Sequence, residues 1–157
     1  MPRILVIDDE ELARFTIRQM LEQAGHVVLE AENGNQGIKL QQQENCDLII
    51  TDIIMPEKGG LSTIAEMKSG NAYLKIIAIS GGERRDGHDY LGHAANLGAN
   101  RTLGKPFTGE ELLECVKACL LEDEDHPFKP SKPKTQRSII LNASCPRNSF
   151  ACWVPGI

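Results

Sequence analysis

The sequence is poor in aromatic residues and lacks long apolar runs, paired cysteine spacings and an excess of positive charge. Its longest apolar runs, Ile4–Ile7 and Leu48–Met55, fall far short of the ~20 residues of a membrane span. Acidic residues begin at Asp8, which does not fit a signal peptide. The five cysteines are odd in number and lack CxxC spacing, and the net charge of −5 argues against a dedicated DNA-binding protein. We therefore expect a cytoplasmic protein with free thiols and no direct membrane or nucleic-acid contact.

Charge divides the chain into two parts. At roughly 100–200 residues per domain, 157 residues suffice for one domain with an appendage. Residues 1–121 carry 12 basic and 18 acidic side chains, whereas residues 122–157 carry five basic and four acidic ones. The four acids are consecutive at 122–125, and the basic remainder begins with prolines interleaved with lysines, a composition that resists packing. The sequence predicts a domain of residues 1–121, followed at 122–157 by an acidic hinge and a basic, disordered tail.

Within residues 1–121, short apolar runs alternate with stretches at helical spacing. The runs predict five strands, four of them continuous and buried on both faces and the last one weaker. These runs are 4–7, 27–29, 48–51, 76–79 and 101–103. Alternation of this kind predicts an α/β fold, a doubly wound five-stranded parallel sheet with five helices and right-handed crossovers.

The helices have recognisable ends. Leu12, Phe15 or Thr16, Met20 and Ala24 recur at helical spacing and predict a helix that stops at Gly25. Asn33 to Gln36 resembles a helix start with a capping box, and Thr108 with Glu111 predicts a second capping box for the last helix. We expect that helix to bury a stripe of Leu112, Leu113, Val116, Cys119 and Leu120.

Polar side chains stand at the carboxyl ends of four predicted strands. Asp8 and Asp9 follow the first strand, Asp52 the third, Ser80 the fourth, and Lys105 follows the fifth after Gly104. In an open parallel sheet the functional crevice lies beyond these ends, where the strand order reverses. We therefore expect three carboxylates, a hydroxyl and an amine to share one crevice.

This combination of groups indicates phosphoryl chemistry. Two carboxylates ~4 Å apart repel by ~4 kcal/mol at an effective dielectric of 20, so three of them call for a cation. Oxygen ligands from two loops, with room for water, suit Mg²⁺. A metal beside Asp52 would neutralise a phosphoryl donor, while Lys105 and Ser80 can contact the phosphoryl oxygens. The crevice is predicted to accept a phosphoryl group on a carboxylate nucleophile.

At this point the sequence resembles a family. Asp8-Asp9, Asp52 to Pro56, Ser80 and Lys105-Pro106-Phe107 are similar to the motifs of the receiver domain of bacterial two-component response regulators, the CheY-like type. The resemblance spans about residues 2–121, and further matching positions are Arg14, Gly25, Gly60 and Gly98-Ala99. It implies the flavodoxin-like strand order 2-1-3-4-5, of which a chemotaxis receiver is a known example.

The resemblance also implies roles for single residues. Asp52 would be phosphorylated by a sensor histidine kinase or phosphotransfer protein. Mg²⁺ would be bound directly by Asp9, Asp52 and the backbone carbonyl of Ile54, with Asp8 assisting through water. Ser80 and Lys105 would contact the phosphoryl group, and a cis Lys105-Pro106 bond would aim the lysine into the crevice.

Output is expected to come from elsewhere. No recognisable effector domain follows residue 121, so the resemblance is to the stand-alone type, which signals to a protein partner through its fourth-helix, fifth-strand, fifth-helix face. Phosphorylation could also drive formation of a homodimer. Such a protein is not an enzyme in the usual sense, although it catalyses its own phosphotransfer and dephosphorylation.

One departure concerns the switch. Receivers often carry Tyr or Phe three residues before the lysine, and here that residue is Thr102. Gly81 and Gly82 follow Ser80, which leads us to expect that switching relies instead on movement of the loop from Ser80 to Asp89.

Two alternative functions remain open. A phosphatase that uses Asp52 as a covalent nucleophile would share the strand-end aspartate and Mg²⁺, but it would place a general acid where Ile54 stands. A binding module that never accepts phosphate would not need the full set of Asp9, Asp52, Ser80 and Lys105.

Overall fold

The structure is a computed structural model that describes residues 1–81 and 89–122. Five strands alternate with five helices in these residues. The strands are β1 (Arg3–Ile7), β2 (Val27–Ala31), β3 (Leu48–Asp52), β4 (Lys75–Ser80) and β5 (Arg101–Gly104). The helices are α1 (Glu11–Gln23), α2 (Gly34–Glu44), α3 (Gly60–Gly70), α4 (Tyr90–Asn96) and α5 (Gly109–Leu121).

The strands form one parallel sheet in the order β2-β1-β3-β4-β5. The order that the resemblance implied is therefore confirmed, as is the doubly wound α/β class. The chain leaves β1 for β2 on one side and returns to β3 on the other, so the order reverses between β1 and β3. Ile7 is paired with Thr51 across these two strands, which brings the residues that follow them, Asp8 and Asp52, to the same level.

Alternating side chains of the strands pack into two separate cores, one on each face of the sheet. Leu5, Ile49 and Ile76 belong to the core that also holds Ile64 and Met67 of α3. The core on the other face takes its strand residues from the alternate positions and its helix residues from α1 and α5: Ile4, Val6, Ile50, Ile77, Ile17, Leu21, Leu112, Val116 and Cys119. Burial on both faces explains why the central strands read as continuous apolar runs.

Helix α1 forms where predicted, but a different stripe faces the sheet. Leu12 is 70% exposed and Phe15 is 55% exposed, whereas Arg14, Ile17 and Leu21 are buried. Two stripes of this helix carry apolar residues, and spacing alone does not choose between them. The buried stripe packs Ile17 and Leu21 into the core shared with α5, and Arg14 within it finds partners at the end of β1 and at β2.

The helix ends follow the sequence signals closely. Gly25, which follows the C-cap residue of α1, has a φ of 88°, and Gly98 has a φ of 109° after α4. Thr108 and Glu111 form the complete capping box at the start of α5. At α2, Asn33 caps the helix as expected, but the side chain of Gln36 accepts from the N–H of Glu32, one residue before the cap.

Several sequence predictions lie outside the described residues. These are the tail from residue 123 onward with Cys145 and Cys152, and most of the loop from Ser80 to Asp89. Within the described part of the chain, Cys46, Cys115 and Cys119 are free thiols, and no helix is both long enough and apolar enough to cross a bilayer.

Candidate functional site

The predicted residues meet at the carboxyl ends of the three central strands and β5. Asp8 and Asp52 are buried, with 2% and 8% of their surface exposed, whereas Asp9 is exposed. One carboxylate oxygen from each of the three aspartates lies within 4.8 Å of the other two. The expected acidic cluster is therefore present in the fold.

The side chain of Lys105 lies between the two buried carboxylates. Its Nζ donates to Asp8 Oδ2 and to Asp52 Oδ2, at 3.3 Å in each case. Although burial alone lowers the pKa of Lys105, the two carboxylates raise it above the ordinary value. The ammonium thus stays charged and serves as counter-ion to both aspartates.

Asp52 lies in an environment that disfavours its charge. Burial is the main reason that its pKa is raised, and the neighbouring Asp8 carboxylate adds to that rise. Lys105 and the backbone N–H of Ile54, which donates to Asp52 Oδ1 at 3.3 Å, act in the opposite direction. The carboxylate is therefore held in place, yet it is only partly compensated by the groups around it.

Asp8 is held through all of its polar atoms. Its N–H donates to the Ala31 carbonyl at 3.2 Å, and its carbonyl accepts from Arg14 Nη1 at 2.7 Å. Its Oδ1 accepts from the N–H of Glu10 at 2.9 Å, and its Oδ2 accepts from Lys105. The sequence marked Arg14 only as a matching position, and its contact with the loop after β1 was not foreseen.

Ser80 lies at this end of the sheet, as the last residue of β4. The residue is 2% exposed, and its buried Oγ has no hydrogen-bond partner within residues 1–81 and 89–122. Its carbonyl accepts from the N–H of Lys105 at 2.8 Å, which ties β4 to the segment after β5. The Lys105-Pro106 bond is cis, as expected.

The loop after Asp52 depends on a close approach that sequence reasoning did not foresee. A Cβ atom on Gly60 would lie 2.1 Å from the Asp52 carbonyl oxygen and 2.6 Å from Ile53 Cα. Glu57, in the same loop, has a φ of 66°, which L-residues rarely adopt. The turn glycines were a visible signal for the first feature, whereas a glutamate gives no signal for the second.

Comparison with known proteins identifies the family of this chain. The family model for the response regulator receiver domain matches residues 4–117. The chain belongs to the response regulator receiver domain family. Membership of this family implies phosphoacceptor signalling. Receiver domains are signalling proteins and generally not conventional enzymes.

Individual relatives agree with the family assignment. The receiver is 35% identical over 119 residues to the chemotaxis protein CheY of Bacillus subtilis, which covers 75% of this chain and 97% of that protein. It is 33% identical to the protein PilH of Pseudomonas aeruginosa over 76% of this chain and 98% of that one. A receiver domain structure from Clostridium thermocellum superposes with a TM-score of 0.73 at 28% identity, over 79% of this chain and 98% of that one.

Proposed function

We propose that this receiver accepts a phosphoryl group on Asp52 from a sensor histidine kinase or phosphotransfer protein in a Mg²⁺-dependent reaction. The observation that carries the proposal is the cluster itself, in which Asp52 lies beside two further aspartates and one lysine. Ser80 ends the neighbouring strand β4, and its buried hydroxyl has no hydrogen-bond partner among the residues that the structure describes. All three carboxylates are hard oxygen donors of the kind that Mg²⁺ prefers.

The residues of the site have separate roles in metal binding and in phosphoryl transfer. Asp9 and Asp52, together with the backbone carbonyl of Ile54, would hold the Mg²⁺ directly, with Asp8 assisting through water. When bound, the metal would offset negative charge on the incoming phosphoryl group. The Asp52 carboxylate oxygen attacks phosphorus, and the bond from phosphorus to the donor's histidine nitrogen breaks, so that the electron pair stays with the histidine.

The remaining groups stabilise the product. Phosphorylation neutralises one Asp52 oxygen and adds a dianionic group, so Lys105 gains a stronger partner than the carboxylate it now contacts. The hydroxyl of Ser80, which has no hydrogen-bond partner among the described residues, can donate to the same group from β4. Both contacts pull on the ends of β4 and β5, which connect to α4 and α5. The proposal therefore includes a shift of the α4-β5-α5 face that a downstream protein would recognise.

The switch on this face differs from the common one. Thr102 is exposed on β5, in the place where receivers often carry an aromatic side chain. Thr102 has no aromatic ring that could change its position when Asp52 is phosphorylated. We therefore assign the transmission of the phosphorylation signal to the segment that follows Ser80. Water attack on phospho-Asp52 within the same site would end the signal.

The test uses the full chain with Mg²⁺ and acetyl phosphate. We expect the mass to rise by one phosphoryl group in the wild type and not in Asp52→Asn. Asp47→Asn is the matched control, because Asp47 directly precedes β3 and contacts the N–H of Arg3 instead of the site. Modification that persists in Asp52→Asn, or that does not need Mg²⁺, would refute the proposal.

The same assay tests the proposed domain division. The family match ends at residue 117 and α5 ends at Leu121, so we assign the receiver to residues 1–121 and treat 122–157 as a separate appendage. A chain ended after Glu122 should be phosphorylated at the wild-type rate. A slower rate would assign the appendage a part in the chemistry.

A further inference from the structure

The feature that the proposed function leaves unexplained is a buried arginine on α1. Arg14 is 8% exposed and lies in the stripe that faces the sheet, with Ile17 and Leu21 as its neighbours in that stripe. An arginine in such a place costs desolvation unless its donors are used. The contacts of its guanidinium group therefore indicate why the residue is there.

The short contact of Arg14 is made to the main chain. Nη1 donates to the Asp8 carbonyl oxygen at 2.7 Å. The two carboxylates nearest to the guanidinium group, those of Glu30 and Glu32, are both 3.9 Å away, and Glu32 is largely exposed. Loose pairs of this kind contribute little, so the bond to the carbonyl is the dominant interaction.

That carbonyl belongs to the peptide that joins two members of the acidic cluster. Asp8 and Asp9 are consecutive, and the orientation of the peptide between them fixes where both side chains begin. The N–H of Asp8 is bound by Ala31 of β2, and its carbonyl is bound by Arg14. Without the arginine, the main-chain atoms of Asp8 would be anchored on the β2 side alone.

We propose that Arg14 is a positioning residue for the cation site, in that it holds the Asp8-Asp9 peptide in the orientation that directs both carboxylates toward Asp52. This inference rests on the proposed Mg²⁺ site. Groups that orient metal ligands without touching the metal commonly change metal affinity by about 10–100-fold when removed.

The sign of the effect separates this role from a purely electrostatic one. Arg14 is a positive charge near a site for a cation, so the loss of its charge alone would strengthen Mg²⁺ binding. Loss of positioning would weaken Mg²⁺ binding instead. A residue that only stabilised the fold would lower the melting temperature and leave the affinity of the folded protein unchanged.

The experiment measures Mg²⁺ affinity by calorimetry on the full chain. We expect Arg14→Met to weaken binding about tenfold. The matched control is Arg18→Met, one turn further along α1, because Arg18 pairs with Glu22 and Glu30 and does not contact the loop. Arg14→Lys keeps the charge but not the guanidinium geometry, and this variant should bind Mg²⁺ more weakly than the wild type but more tightly than Arg14→Met. This variant decides the question if Arg14→Met does not fold.

A second measurement needs no metal. Amide hydrogen exchange of Asp9 and Glu10 in metal-free protein should be faster in Arg14→Met than in Arg18→Met. Unchanged or tighter Mg²⁺ binding in the Arg14 variants, or unchanged exchange in this loop, would overturn the inference. If the wild type bound no Mg²⁺, the proposed function itself would fail. If the wild type bound Mg²⁺ and the Arg14 variants bound it equally well, only the inference about Arg14 would fail, so the two failures are distinguishable.

Discussion

At the scale of single residues, the site is defined by a shortage of positive charge. Asp8 and Asp52 are both buried, and one ammonium group, that of Lys105, contacts both of them at 3.3 Å. Two carboxylates that share one lysine leave a net negative charge, and Asp9 adds another at the rim. Because a buried charge without compensation is costly, this arrangement favours a divalent cation over an empty site.

The phosphoacceptor loop also depends on one glycine. A Cβ atom at Gly60 would overlap the Asp52 carbonyl and Ile53 Cα, which are backbone atoms that cannot rotate away. We expect Gly60→Ala to lower the free energy of unfolding by about 1–3 kcal/mol, as overpacking commonly does. It should also slow phosphorylation by acetyl phosphate, because the shift falls on Asp52 itself. Urea unfolding and the mass assay measure the two effects.

The neighbouring glycine provides the control for this prediction. A Cβ atom on Gly59 would have its nearest contact at 3.7 Å, an ordinary van der Waals distance, and the φ of Gly59 is −64°. Gly59→Ala should therefore keep the phosphorylation rate and lose little stability. Equal losses in the two variants would show that general loop flexibility matters, and not the close approach at Gly60.

At the scale of elements, the sequence predicts the strands better than the helix faces. Strand runs such as Leu48–Thr51 are apolar on both sides, so they leave no choice of face and correspond to β3 almost residue for residue. On α1 the choice existed, and the stripe of Leu12 and Phe15 turned out to be exposed. The buried stripe includes Arg14, which pairs with the Asp8 carbonyl in the loop before the helix, and apolar spacing within the helix cannot reveal that contact.

In the site, too, the sequence predicts some features and not others. Asp8, Asp9, Asp52, Ser80 and Lys105 could be placed together because parallel strands share one edge for their carboxyl ends. The positive φ of Glu57 could not be foreseen, because a glutamate has no local preference for that conformation. The turn glycines were a visible signal for the approach of Gly60 to Asp52, but its distance depends on how α3 packs beneath β3 and could not be foreseen.

The start of α5 offers a prediction at this scale. Thr108 Oγ1 accepts from the N–H of Glu111 at 3.2 Å, and Glu111 Oε2 accepts from the N–H of Thr108 at 2.7 Å. Since α5 begins four residues after Lys105, this capping box sets where the helix starts relative to the site. We expect Thr108→Ala to lower the free energy of unfolding by about 1 kcal/mol in chemical denaturation.

The conservative variant tests the mechanism of the cap. Thr108→Ser keeps a hydroxyl that can accept the same hydrogen bond, so its loss should be well below that of Thr108→Ala. If serine were as harmful as alanine, the contribution of Thr108 would come from its methyl group and not from capping.

At the scale of the whole molecule, the sheet separates two cores, and each core contains one buried thiol. Cys46 belongs to the core with α3, and Cys119 belongs to the core with α1 and α5. Burial raises the pKa of each thiol from 9.0 to about 11, because neither core can solvate a thiolate. The two thiols thus report on opposite faces of the sheet.

These shifts make stability depend on alkaline pH. Between pH 9 and 11 the unfolded chain has lost protons that the folded chain still holds, so the free energy of unfolding falls as pH rises through this window. Below pH 9 the contribution of each thiol is complete. We expect Cys46→Ala and Cys119→Ala each to make the fall of the unfolding free energy with pH less steep, by at most the equivalent of one proton, which is about 1.4 kcal/mol per pH unit.

The measurement of this pH dependence is urea unfolding of wild type and variants from pH 8.5 to 10.5. Lysines and tyrosines are common to all the proteins, so their titration cancels in the comparison of slopes. A variant will also lose some stability at every pH from the cavity it creates, but that loss shifts the curve without changing its slope. Parallel curves for the wild type and both variants would mean that the thiols ionise as readily in the folded chain as in the unfolded one, which contradicts their burial in the two cores.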